Sequence, residues 1–188
     1  MNIYHPLDSI PEGAATWLVF AALVVLFLVT GKLASLNLDA TKFKYTRIIA
    51  LERPRDAKVA NEVIGEWRDG GKLDEVRRCL RWDNVFIVVY STLAALGCVI
   101  AARAIFSPNS TGRNIAMLVA WLPWFAGLLD YVENYAMSRM LGGFVGESLP
   151  RLAWWCATTK FAIILTLGAW GIIGVLCEAC KELRARAV

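Results

Sequence analysis

Four stretches of this chain carry no charge, and that decides most of what it can be. Residues 13–31, 84–102, 114–129 and 161–177 hold no Asp, Glu, Lys or Arg. A helix needs ~20 mostly apolar residues to cross a hydrocarbon layer, so each run predicts a span once a few neighbours join it. The expected spans are 14–31, 84–104, 115–136 and 160–177, with a cytoplasmic loop at 32–82. A hydrophobic content of 57% and a mean hydropathy of +0.50 place the chain in the membrane class. No period-2 alternation runs through it, which argues against a β-barrel. The expected fold is an all-α integral membrane protein, a four-transmembrane-helix bundle forming a single membrane domain over 1–188, with a partly helical cytoplasmic loop.

The first run does not read as a signal peptide. Residues 1–16 carry no Lys or Arg, and Gly31-Lys32 is not a small-residue cleavage site. Basic residues then set the expected orientation. Of the 20 Lys and Arg, fifteen fall between the first and second runs or between the third and fourth. That puts both termini outside and the long loop in the cytoplasm, as in a bacterial inner membrane protein. The basic tail, Lys181, Arg184 and Arg186, dissents.

Within the loop, Thr41–Glu52 alternates basic and apolar residues. Lys42, Lys44 and Arg47, with Arg53 and Arg55 beyond, suit a segment lying on an anionic leaflet of membrane lipid. Pro54 interrupts it. Val59, Val63, Ile64 and Trp67 then recur at helical spacing, and Asp69-Gly70-Gly71 is a turn signal. From Leu73 the pattern runs straight into the second span, predicting one long helix to about Ala104.

The third span must continue past Leu129 through Asp130 and Glu133, although an ionisable group inside a span costs about 2.5–3.5 kcal/mol. Pro123, Gly127, Asp130 and Asn134 share a helix face. Pro123 invites a kink and Gly127 a close neighbour, so this face meets protein. The second span enters from the same side, at Asp83-Asn84, with Tyr90 two turns on. The expectation is one polar cluster of Asp83, Asn84, Tyr90, Asp130, Tyr131, Glu133 and Asn134, flanked by Tyr135. Its carboxylates repel one another unless Arg47, Arg81 or Arg139, a bound cation or protons compensate them. The cluster reads either as an ion, proton or headgroup site or as a polar clamp that fixes helix register. No cofactor is predicted. Mg²⁺ or Ca²⁺ suits these oxygens better than a soft metal, and a di-iron site wants Glu-x-x-His pairs that are absent.

Other features read as structure. Gly97 with Ala101, and Gly168, Gly171 and Gly174, mark packing seams. Cys177 and Cys180 form a C-x-x-C without a thioredoxin-like context, and Cys79, Cys98 and Cys156 lack zinc spacing. The Trp residues suit the interface, while Trp121 and Trp170 lie deep enough to wall a pocket. The single histidine, His5, is placed to titrate near neutral pH at an exposed end. There is no phosphate loop, nucleophile elbow, H-E-x-x-H or dinucleotide fingerprint.

Trp67, then Leu80-x-x-Asp83-x-x-Phe86-Ile87-x-x-Tyr90, then Ala126-Gly127-x-x-Asp130-x-x-Glu133-Asn134 resembles a group of uncharacterised small four-helix bacterial membrane proteins. The resemblance covers roughly 56–141. It implies that the two helices act as a unit, and it implies no activity. The functional expectation is a non-enzymatic membrane protein that binds lipid or serves as an accessory subunit, as a homo-oligomer or with a partner membrane protein, and without nucleic acid. The alternatives are an oligomeric cation or proton translocator using Asp130, Glu133 and Asp83, and a lipid-modifying enzyme.

Overall fold

The computed structural model describes residues 3–35, 49–52, 55–143 and 145–186, with side chains at all of these except 12, 16, 33–35, 49, 50 and 169–186. The described residues form helices and no strands. A 3-10 turn, Pro6–Ser9, precedes α1 (Glu12–Ser35), α2 (Ile49–Glu52), α3 (Ala57–Asp69), α4 (Leu73–Ile105), α5 (Thr111–Val119), α6 (Leu122–Leu141) and α7 (Ser148–Arg186). Among the described residues three segments are long and apolar enough to cross a membrane: Gly13–Lys32 in α1, Leu73–Ile105 in α4, and Thr111–Leu141 across α5 and α6.

α1 is apolar all round. Trp17 is 74% exposed and Phe27 78% exposed, the signature of a helix whose solvent is lipid. It leans on α4. The 33 residues of α4 make a rod of about 50 Å, longer than the ~30 Å of a hydrocarbon layer. Its first turns carry Asp74, Glu75 and Arg77, with Arg77 paired to Asp74 at 2.8 Å.

α3 lies against the same end of the bundle. Asp56 caps it by accepting from the Val59 N–H at 2.9 Å. Its buried face, Ala60, Val63, Ile64 and Trp67, joins Leu51, Val76, Leu80, Met137, Met140 and Leu141 in one core. Gly71, at φ +67°, makes the turn into α4 that a side chain would strain.

The third apolar run is not one helix. The expected kink at Pro123 is a break: α5 stops at Val119, and α6 starts at Leu122 with Pro123 in its first turn, where a missing N–H costs nothing. The last helix begins earlier than the span expected from 160: it starts at Ser148, with Pro150 in its first turn, so Trp154 and Trp155 are helical residues. α7 packs chiefly on α6, and α6 on α4. Gly127 sits at the α4–α6 crossing, where an added Cβ would lie 3.0 Å from the Ser91 Cβ. Gly97 behaves otherwise: nothing stands within 4 Å of its added Cβ, so it is not the packing seam its spacing suggests.

Candidate functional site

All seven residues expected at the polar cluster come together where α4 faces α6. Their spacing explains why: Asp83, Asn84 and Tyr90 lie on one face of α4, and Asp130 and Asn134 lie one turn apart on α6. Tyr90 donates its hydroxyl to Asp130 Oδ2 at 2.9 Å. Asn134 Nδ2 donates to Asp83 Oδ2 at 2.8 Å and to Asn84 Oδ1 at 3.1 Å. The Tyr131 hydroxyl reaches the Asn84 carbonyl at 2.9 Å. Asp130 is 6% exposed, Glu133 0% and Asn134 2%.

The compensating cation is Lys160 of α7. Its ammonium lies 2.5 Å from Asp130 Oδ1 and 2.8 Å from Glu133 Oε2, and the residue is 6% exposed. Of the expected arginines, neither Arg81 nor Arg139 fills this role. Arg47 lies outside the described residues, Arg81 is exposed, and Arg139 donates to the Tyr135 hydroxyl at 3.0 Å. Lys160 was hidden by its position beside an apolar run, which made it look like a flank. The readable signal is Ala153, Cys156, Ala157 and Lys160, a buried stripe at helical spacing.

A fourth carboxylate, Glu52, was also missed. The end of the segment expected on the leaflet turns inward as α2, with Leu51 fully buried and Glu52 8% exposed. Burial raises the Glu52 carboxyl above its usual range. Lys160 opposes the shift, and Asp130 and Asp83 reinforce it. Among the described residues the cluster thus sets Glu52, Asp83, Asp130 and Glu133 beside one ammonium. Neither Glu133 oxygen receives an aligned hydrogen bond, and Asn134 Oδ1 has no donor. With Lys160 between Asp130 and Glu133, the position expected for Mg²⁺ or Ca²⁺ is taken by an ammonium. Among the described residues no group of His, Cys, Asp and Glu is arranged to hold a metal.

Of the basic residues expected at the lipid surface, Lys42, Lys44, Arg47 and Arg53 lie outside the described residues. Arg55 is described, and its guanidinium sits 3.7 Å over the Trp154 ring. The side chains of Trp170, Cys177 and Cys180 also lie outside the described residues.

Beside the cluster, between α4, α5, α6 and α7, runs a cavity of about 360 Å³. Small and branched apolar side chains wall it, among them Ala94, Ala101, Val119, Ile164 and Leu167. Gly97 and Gly168 open it, since among the described residues no atom stands within 4 Å of the Cβ either lacks. Tyr90 lines it too, and so joins the cavity to Asp130.

At the other end of the bundle, residues 3–10 cross α4, α5 and α6. Asp8 Oδ1 pairs with Arg103 Nε and with Arg113 Nη2, each at 2.9 Å. Arg103 also donates to the carbonyls of Leu7, Asp8 and Ile10. Burial works against charge on Asp8, but the two guanidiniums outweigh it and hold its carboxyl below the usual range. His5 is not at an exposed end: it is 0% exposed, with ring centroids 5.0 Å from Trp121 and 4.9 Å from Trp124. Burial pushes its imidazole below the usual 6.5.

Comparison of the chain with protein families, with curated proteins and with solved structures gives no match.

Proposed function

We propose that this chain is a small polytopic membrane protein that binds lipid, holding one apolar chain in the cavity beside Tyr90. In this reading α7 supplies a fourth span, the protein sits in a bacterial inner membrane with both termini outside, and the basic segment before α2 rests on the anionic leaflet. The observation that carries the reading is the cavity. Its volume of about 360 Å³ falls in the range of small-molecule sites, and its wall is almost all carbon. Helices that are themselves surrounded by hydrocarbon have lipid chains as their nearest source of a filling. An empty apolar space of that size forfeits the dispersion contacts of every side chain around it, so an occupant stabilises the bundle.

Gly97→Leu tests this directly, because its side chain grows into open space. Native mass spectrometry of the detergent-extracted wild type is expected to show a retained lipid, and Gly97→Leu is expected to lose it while keeping the helical signal. A wild type that carries no lipid-sized adduct, or a Gly97→Leu protein that carries the same one, removes the proposal.

A further inference from the structure

The hydrogen-bonding inventory of the cavity narrows what its occupant can be. Among the described lining residues two side chains carry a polar hydrogen, Tyr90 and Cys98, and the thiol is a weak donor. The Tyr90 proton is committed to Asp130 Oδ2 at 2.9 Å. Asp130 has nothing left to offer: its other oxygen is held by Lys160 at 2.5 Å, and a carboxylate only accepts. After that donation the Tyr90 oxygen still has a lone pair, the acceptor that this lining residue can offer. A group placed there has to donate.

Charge points the same way. Behind Tyr90 stands Asp130, whose Oδ2 takes the phenol proton, so an anion brought to this wall faces a carboxylate. A phosphate or carboxylate brought to it meets like charge and finds no donor. A permanent cation has to be stripped of water inside a carbon-walled space, beside an Asp130 already paired with Lys160. A neutral hydroxyl pays neither penalty.

Resting on the lipid-binding reading, we infer that the occupant is a lipid alcohol, a long apolar chain ending in a hydroxyl that donates to Tyr90. The chain fills the space opened by Gly97 and Gly168, and the hydroxyl completes the row that runs from ligand to Tyr90 to Asp130 to Lys160. The polar cluster then acts as the fixed acceptor end of a binding site. Lys160 and Asp130 act as positioning residues, because they orient the Tyr90 hydroxyl without touching the ligand.

Competition binding to the detergent-solubilised full chain tests the assignment, using a long-chain alcohol, the carboxylate of the same chain and the amine of the same chain. The alcohol is expected to bind at least about tenfold tighter than the carboxylate, the size one hydrogen bond supplies. Tyr90→Phe is expected to shrink that ratio toward one while the cavity still takes the chain. Equal affinity for alcohol and carboxylate overturns the inference and leaves lipid binding standing. So does an unchanged ratio in Tyr90→Phe, or an amine that outbinds the alcohol. If none of the three chains binds, lipid binding falls and the inference with it. Should Tyr90→Phe fail to fold, Gly97→Leu in the same assay replaces it, and alcohol binding that survives there rejects the site.

Discussion

The two ends of the bundle solve opposite charge problems. At one end a single ammonium, Lys160, is shared by carboxylates that are almost fully buried. At the other a single carboxylate, Asp8, is shared by two guanidiniums, with side chains 15–23% exposed. Both networks join elements far apart in sequence, and both place one charge between two of the other sign. Burial makes them different objects. Around Asp8 water can reach whatever is left unpaired, and Arg103 keeps three backbone carbonyls as partners. Around Lys160 there is no such reserve, and Glu133 already lacks an aligned donor. A partly wet pair is worth little and a dry one is costly to break, so the lysine fixes the helix arrangement and the aspartate only docks a strap.

That contrast breaks if removing the shared charge costs the same at both ends. Lys160→Met is expected to destabilise the bundle by about 3–5 kcal/mol, because it strands buried carboxylates. Equilibrium unfolding in mixed micelles measures the loss, and Lys160→Met combined with Glu133→Gln is expected to recover part of it. A Lys160→Met protein as stable as the wild type would end the argument. Asp8→Asn is expected to cost about 1 kcal/mol or less in the same assay.

The smallest effect sharpens the picture of the strap. His5 Nδ1 accepts from the Leu7 N–H at 3.2 Å, a bond that needs an unprotonated nitrogen. The folded pKa is lowered, so the docking free energy is complete above pH 6.5 and is lost as the pH falls through the folded value. The charged group acting on His5 is Asp8 on the strap, itself paired with Arg103 of α4 and Arg113 of α5. Trp121 and Trp124 bring none. Asp8 has the same sign of linkage but acts only below the ordinary carboxylate range. Amide exchange at Leu7, corrected for the intrinsic rate, is expected to speed up below pH 6.5. Protection that is flat across that value would detach His5 from the docking.

Much of the helical layout was legible in the chain. The long helix from Leu73, the Asp56 start of α3 and the interruption at Pro123 follow from spacing, capping and the missing N–H. The meeting of Asp83, Asn84 and Tyr90 with Asp130, Glu133 and Asn134 was legible too, because hydrocarbon penalises each of them alone. Lys160 and Glu52 were not. Their neighbours in sequence give them ordinary surroundings, a helix flank and an amphipathic segment, and only the packing of α7 and α2 turns both inward. The same holds for His5, which looks free in sequence and is walled by Trp121 and Trp124 in the fold.

By itself the sequence determined a helical membrane-type chain and the faces its polar residues share, because apolar run length and helical period are local properties. Tertiary structure alone decided which cation meets the carboxylates. It also decided whether Gly97 closes a seam or opens a cavity, since both depend on what a neighbouring helix places opposite, and no local pattern records that.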